Sequence, residues 1–239
     1  MKLFRFVGML LFTTFLSANF TSCSNNGDAF TGKDGSYSNE KKLKKVECGD
    51  HSSLFFYDNK GRLIESREVY ADGTSNTIFT WTENGIKESW NGEYRGTYIM
   101  EYGLVRRFHT EDGDIDYYTY NQDGRLTLYN NITNFRWDGD KVTFRYTGDV
   151  YQTFTYDNLS CKKGYFPLII PDAPLYMVHP EIFGMRTNKL PISKKEVIDD
   201  SGHDLGTTTF HYQFDKEGYI VRVTEKSSSS TYIYNLTWE

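Results

Sequence analysis

The feature that most constrains this chain is a period of two. From Leu43 onward, apolar and polar residues alternate in short runs, and the runs stop at Asn- or Asp-containing pairs with Gly. Such alternation places one set of side chains on each face of a strand and suits an antiparallel sheet. In the run from Lys141 to Tyr146, Val142, Phe144 and Tyr146 are expected on the apolar face, opposite Lys141, Thr143 and Arg145. Phe210, Tyr212 and Phe214 repeat the pattern, as do Tyr232, Tyr234, Leu236 and Trp238. Turn signals at 58–61, 71–73, 83–85, 112–114, 122–124 and 138–140 divide the chain into roughly 13–16 strands. The expected fold is all-β: an antiparallel up-and-down meander, curled or closed like a barrel. The 19 Tyr and 17 Phe agree, since aromatic residues favour strands.

Residues 157–189 break the alternation. They contain Pro167, Pro171, Pro174 and Pro180 among many apolar side chains. An ordered loop of this length is unusual and often functional. We expect a short helix near Leu175–Phe183 and a segment packed over one end of the sheet. It either caps the core or forms a lid over a ligand, with Phe166, Tyr176, Met177 and Phe183 as candidate lining residues.

The first residues read as an address. Lys2 and Arg5 precede an apolar run, Phe6 to Leu16, that is too short to span a bilayer, and small or polar residues lead to Cys23. This layout resembles a bacterial lipoprotein signal. On that reading residues 1–22 are removed, Cys23 carries lipid, 23–42 form a flexible tether, and 43–239 form one domain. An ordinary secretory peptide with an incidental cysteine is the alternative. The expected location is the cell envelope, as an outer-membrane lipoprotein facing the periplasm or the surface. There, Cys48 and Cys161 either form a disulfide or are two small buried apolar residues. A net charge of −5 argues against a nucleic-acid partner.

Motifs for chemistry are sparse. The five histidines show no metal-ligand spacing, and His203 and His211 read as solvated strand residues. Asp112, Asp114, Asp116 and Asp123 mimic a calcium loop, but Tyr117 stands where such a loop needs Gly. Ser227–Ser230 reads as a flexible turn, and no cofactor motif is present. Trp81, Trp90, Trp137 and Trp238 are candidates for a sugar-stacking surface, although alternation makes them core residues first.

One hairpin unit recurs. Tyr57-Asp58-Asn59-Lys60-Gly61-Arg62-Leu63 returns as Tyr120-Asn121-Gln122-Asp123-Gly124-Arg125-Leu126 and as Phe214-Asp215-Lys216-Glu217-Gly218-Tyr219-Ile220. The unit resembles the tyrosine-aspartate repeats of large bacterial shell proteins. The lipoprotein signal, the Lys41–Val46 lead-in, these hairpins, the stretch Phe183–Pro191 and the closing Leu236–Glu239 together resemble a Bacteroidetes lipoprotein family of unknown function with a porin-like fold. The resemblance implies a many-stranded barrel-like sheet and no established activity. Glu65, Arg67 and Glu68 on both faces of one strand argue against a lipid-facing wall.

These observations point to a lipid-anchored module that binds a protein, peptide or glycan, because no nucleophile, metal or acid–base set stands out. Two alternatives remain at this stage: a glycan-cleaving enzyme built on paired carboxylates, and a scaffold that assembles through sheet edges.

Overall fold

The computed structural model describes residues 41–162 and 174–239. Cys23, the signal segment and Phe166 lie outside the described residues. Sixteen strands follow one another around a closed antiparallel barrel. The first eight are β1 Leu43–Cys48, β2 His51–Tyr57, β3 Leu63–Tyr70, β4 Gly73–Thr82, β5 Gly85–Trp90, β6 Glu93–Glu101, β7 Leu104–Thr110 and β8 Ile115–Tyr120. Next come β9 Leu126–Tyr129, β10 Thr133–Asp138, β11 Lys141–Thr147, β12 Val150–Ser160, β13 Lys189–Ile198, β14 Asp204–Phe214, β15 Ile220–Lys226 and β16 Thr231–Trp238. Every strand pairs with its sequence neighbours, and β1 pairs with β16. The expected meander is therefore the observed one, and it closes.

The recurring hairpins make one end of this barrel. Asp58, Asn121 and Asp215 each accept, through Oδ1, the backbone N–H groups two and four residues on. Gly61, Gly124 and Gly218 follow with positive φ, which the tight turn requires. The aliphatic residue that ends each unit is then used twice. Its side chain is buried, and its carbonyl accepts an indole N–H from the next strand at 2.7 Å: Trp81 to Leu63, Trp137 to Leu126, Trp238 to Ile220. Arg62 and Arg125 lie over the Trp81 and Trp137 rings at 5.5 and 5.0 Å, and Tyr219 packs on Trp238. Three of the four tryptophans thus hold hairpins together.

The long connection between β12 and β13 enters the barrel at this same end. Strand β12 runs to Ser160, so the first four residues of the expected loop belong to the wall. Helix α1 (Pro174–Val178) and a 3₁₀ turn (Pro180–Phe183) fill the lumen, close to the expected helix position. Leu175, Val178, Ile182, Phe183 and Met185 are all buried among wall residues such as Leu63, Val105 and Leu126. His179 fixes the plug to the wall: its Nε2 accepts the Leu63 N–H at 3.0 Å, and Nδ1 faces Glu181 at 2.9 Å.

One expectation is corrected. In β11 the alternation slips. A bulge opposite Arg136 and Trp137 places Val142 and Arg145 inside, with Arg145 4% exposed, and leaves Phe144 and Tyr146 outside. No disulfide joins Cys48 and Cys161. Cys48 ends β1 at the far end of the barrel, and Cys161 follows β12 at the plugged end, so no local movement can join them.

Gly184 ends the plug in the left-handed region, φ 60 and ψ 27. A Cβ there would sit 2.2 Å from the Gly124 carbonyl oxygen and 2.9 Å from the Tyr120 ring. Gly184→Ala is expected to cost about 2–4 kcal/mol, from left-handed strain plus backbone displacement. Urea unfolding of the two proteins measures it.

Candidate functional site

The wall decides what the barrel can face. Polar pairs recur on the outer wall, Arg67 beside Asn76, Thr80 beside Lys87, Thr97 beside His109, Lys195 beside Thr207 and Arg222 beside Asn235, among outward apolar side chains such as Phe56 and Ile78. Ion pairs Arg67–Glu65 at 2.7 Å and Arg107–Glu101 at 2.9 Å add to this surface. A membrane-spanning barrel needs an uninterrupted outward apolar band, and these polar residues interrupt it. Among the described residues, no helix is long and apolar enough to cross a membrane.

Inside, the lumen has two halves. The plug makes one half apolar. Toward the far end, the inward positions carry charge. Glu68, Glu88, Asp116, Glu196 and Glu225 all face in, as their strand neighbours show: Glu88 lies beside Phe79, Asp116 beside Phe108, Glu196 beside Gln152, and Glu225 beside Phe210. Each has a local donor. Glu68 Oε2 accepts from His51 at 2.6 Å and Ser53 at 2.7 Å. Tyr98 donates to Glu88 at 2.8 Å and Tyr129 to Asp116 at 2.9 Å. Glu196 takes Gln152 at 2.7 Å and Lys194 at 2.9 Å. Ser53 and His51 converge on the same oxygen, so they form no serine–histidine relay.

Burial sets the protonation of this layer. It pushes the Glu88 and Asp116 carboxyls up, against the hydrogen bonds from Tyr98 and Tyr129. It raises Glu225 to about 7, with Glu196 adding to the rise while Lys194 and the Tyr234 hydroxyl oppose it. It lowers Arg145 to about 9 although Glu196 pulls the other way. In the plug the balance is reversed: burial would raise Glu181, but the hydrogen bond from His179 brings it below the usual carboxylate range.

The sequence candidates divide between the two halves. Tyr176 stacks on Phe183 at 3.7 Å and donates its hydroxyl to Tyr118 at 2.8 Å, and Met177 packs against the core. Tyr176, Met177 and Phe183 therefore sit in the plug. The calcium-like set is split: Asp112 and Asp114 lie in the β7–β8 turn at the far end, Asp123 in a hairpin at the plugged end. Among the described residues no three His, Cys, Asp or Glu side chains cluster to hold a metal ion. The inward carboxylates went unrecognised in the sequence. Their only signal was an acidic residue on an otherwise inward-facing position, which in β3 the extra residue Ile64 obscures for Glu68.

No family model and no curated protein matches the chain. Among solved structures, a porin-like protein from Bacteroides uniformis ATCC 8492 is similar at TM-score 0.58 and 16% identity, covering 83% of this chain and 96% of that one. A porin-like protein from Bacteroides vulgatus ATCC 8482 matches at 12% identity over 83% of this chain and 86% of that one, with a TM-score of 0.32 that supports no argument. The first likeness shows the fold, a porin-like barrel.

Because Glu225 holds its proton up to about 7 in the folded state against an ordinary 4.5, the folded protein binds more protons than the unfolded chain between those values. Its contribution to stability is therefore full below about 4.5 and is lost as pH rises through 7. Glu225→Gln is expected to gain up to about 3 kcal/mol relative to the unsubstituted protein between pH 5 and pH 8. Denaturant midpoints at the two pH values test this.

Proposed function

We propose that this protein is a lipid-anchored barrel of the bacterial cell envelope that stands in water and acts by binding a protein, peptide or glycan. The observation that carries the reading is the polar outer wall around a plugged lumen. Such a barrel neither sits in lipid nor conducts, so its exposed surfaces remain for function. The anchor fits the geometry. Lys42 and Glu239 exchange backbone hydrogen bonds at 2.7 and 2.9 Å, and Lys41 pairs with Asp215 at 3.0 Å and Glu217 at 2.6 Å, all at the plugged end. An anchor on Cys23 would join the barrel at that end, through Lys41.

The alternatives fit less well. Closure of β1 on β16 leaves no free sheet edge for assembly. The inward carboxylates Glu68 and Glu225 are each 6% exposed, so a sugar chain does not reach them as a catalytic pair.

Two measurements test the reading. Cys23→Ala is expected to move the protein from the membrane pellet to the soluble fraction of the envelope, and retention in the pellet would count against the anchor. A glycan array together with cross-linking in intact cells is expected to yield a specific ligand or partner, and two empty results would remove the binding role.

A further inference from the structure

The eight hairpin turns at the far end of the barrel are residues 49–50, 71–72, 91–92, 111–114, 130–132, 148–149, 199–203 and 227–230. Together they carry eight Asp or Glu residues and no Lys or Arg. The turns at the plugged end mix the two signs, with Lys60 and Arg62 near Asp58, and Lys216 between Asp215 and Glu217. Arg95, Arg107 and Lys195 on the strands are each matched by an acid already, Glu111, Glu101 and Asp204, at 3.2, 2.9 and 2.9 Å. The far end therefore presents a negative rim to water, on which Asp114, Asp149 and Asp200 are exposed.

Apolar side chains are exposed along one arc of the same rim. Ile115 is 37% exposed, Tyr117 48%, Ile132 52% and Leu205 50%. A single exposed apolar residue needs no explanation, but these lie on connected elements. The Tyr117 carbonyl, on β8, accepts the Asn130 N–H at 2.9 Å, which sets the β9–β10 turn and Ile132 beside it. Ile132 Cγ2 reaches the β11–β12 turn, 3.1 Å from where a Cβ on Gly148 would stand. Asp199 donates its N–H to the Asp149 carbonyl at 2.8 Å and so joins that turn to the β13–β14 turn, which leads into Leu205. Among the described residues, no ring contact or hydroxyl hydrogen bond occupies the Tyr117 side chain.

We propose that this arc docks a basic polypeptide segment, with Lys or Arg side chains on the acidic turns and apolar side chains on Tyr117, Ile132 and Leu205. The inference rests on the binding role proposed above and selects polypeptide from among its ligand classes. Charge decides the occupant. Turns with acids and no fixed cation repel anionic lipid headgroups and the same rim of a second copy, and they draw in a cationic chain. An uncharged glycan gains nothing from them. Exposed charge pairs contribute little affinity by themselves, so apolar contact with the arc holds what charge has steered.

Fluorescence anisotropy of labelled peptides titrated with the full chain tests this surface. The probes are a Lys-Leu-Lys-Tyr-Lys-Leu-Lys peptide and its counterpart with Glu in place of each Lys. The basic peptide is expected to bind, about tenfold more weakly when salt rises from about 0.05 to about 0.5 M, and the acidic one is not. Tyr117→Ser and Ile132→Ser are each expected to weaken binding about threefold, and Asp114→Asn, Asp149→Asn and Asp200→Asn together about tenfold. Tyr102→Ser, at the 88% exposed tip of the β6–β7 turn on the plugged end, is expected to leave it unchanged. All these positions are exposed, and circular dichroism checks that each variant is folded. No binding, equal binding of both peptides, or loss with the acids alone while Tyr117→Ser and Ile132→Ser have no effect would overturn the surface. So would self-association, or binding to phosphatidylglycerol vesicles, that Ile132→Ser abolishes. A cross-linked partner or array glycan that the Tyr117→Ser and Ile132→Ser variants still bind would leave the binding role intact and remove only this docking surface.

Discussion

The ladder between β1 and β16 is the constraint from which the rest of the structure follows. It joins the two ends of the described wall, with Val46 beside Leu236 and Cys48 beside Tyr234, and turns a curled meander into a cylinder. Closure satisfies the backbone groups of both edge strands. It also creates a lumen that sixteen strands make too wide for wall side chains alone to fill. This chain fills one half with α1 and its 3₁₀ turn, and the other with charged side chains that hydrogen-bond to one another. The outer wall, relieved of any packing duty, is free to be polar.

The two halves are stabilised differently. In the plug, Phe183 is fully buried between Tyr98, Tyr118 and Tyr176, and aromatic contacts of this kind add roughly 0.5–1.5 kcal/mol each beyond burial. In the charged half, Lys194 and Gln152 are almost wholly buried and converge on Glu196. A buried pair of that kind contributes little net stability, yet removing one partner costs about 3–5 kcal/mol because the other is stranded. The charged half is thus the less tolerant of substitution although it is not the more stabilising.

Much of the fold was legible in the sequence because the alternation and the Asx–Gly turns are local signals. Asp58, Asn121 and Asp215 marked hairpins that form as read, and Leu175–Phe183 marked the plug. The rest depended on partners distant in sequence. Nothing local to Trp81 says that its indole reaches the Leu63 carbonyl eighteen residues back. A single extra residue in β11 reversed the faces of Arg145 and Phe144, and no periodicity argument sees a bulge before the partner strand is known. Cys48 and Cys161 needed the parity of the intervening strands to be placed at opposite ends. The charged layer stayed hidden for the same reason: Glu68, Glu196 and Glu225 come from strands far apart in the chain and share one lumen only in the closed cylinder.

The plug also constrains the order in which the molecule assembles. Its contacts reach Leu63 on β3 and Tyr118 on β8, well away from the strands that flank it in sequence. The β1–β16 seam joins residues nearly two hundred positions apart, the kind of long-range pairing whose loop entropy delays it. While the seam is open, the wall is a curved sheet on which α1 and Phe183 settle from the side. Once it is shut, the same aromatic cluster has to enter through one end of the cylinder. Late closure over an already seated plug is the easier route, and it makes the plug the template around which the last strands are drawn together.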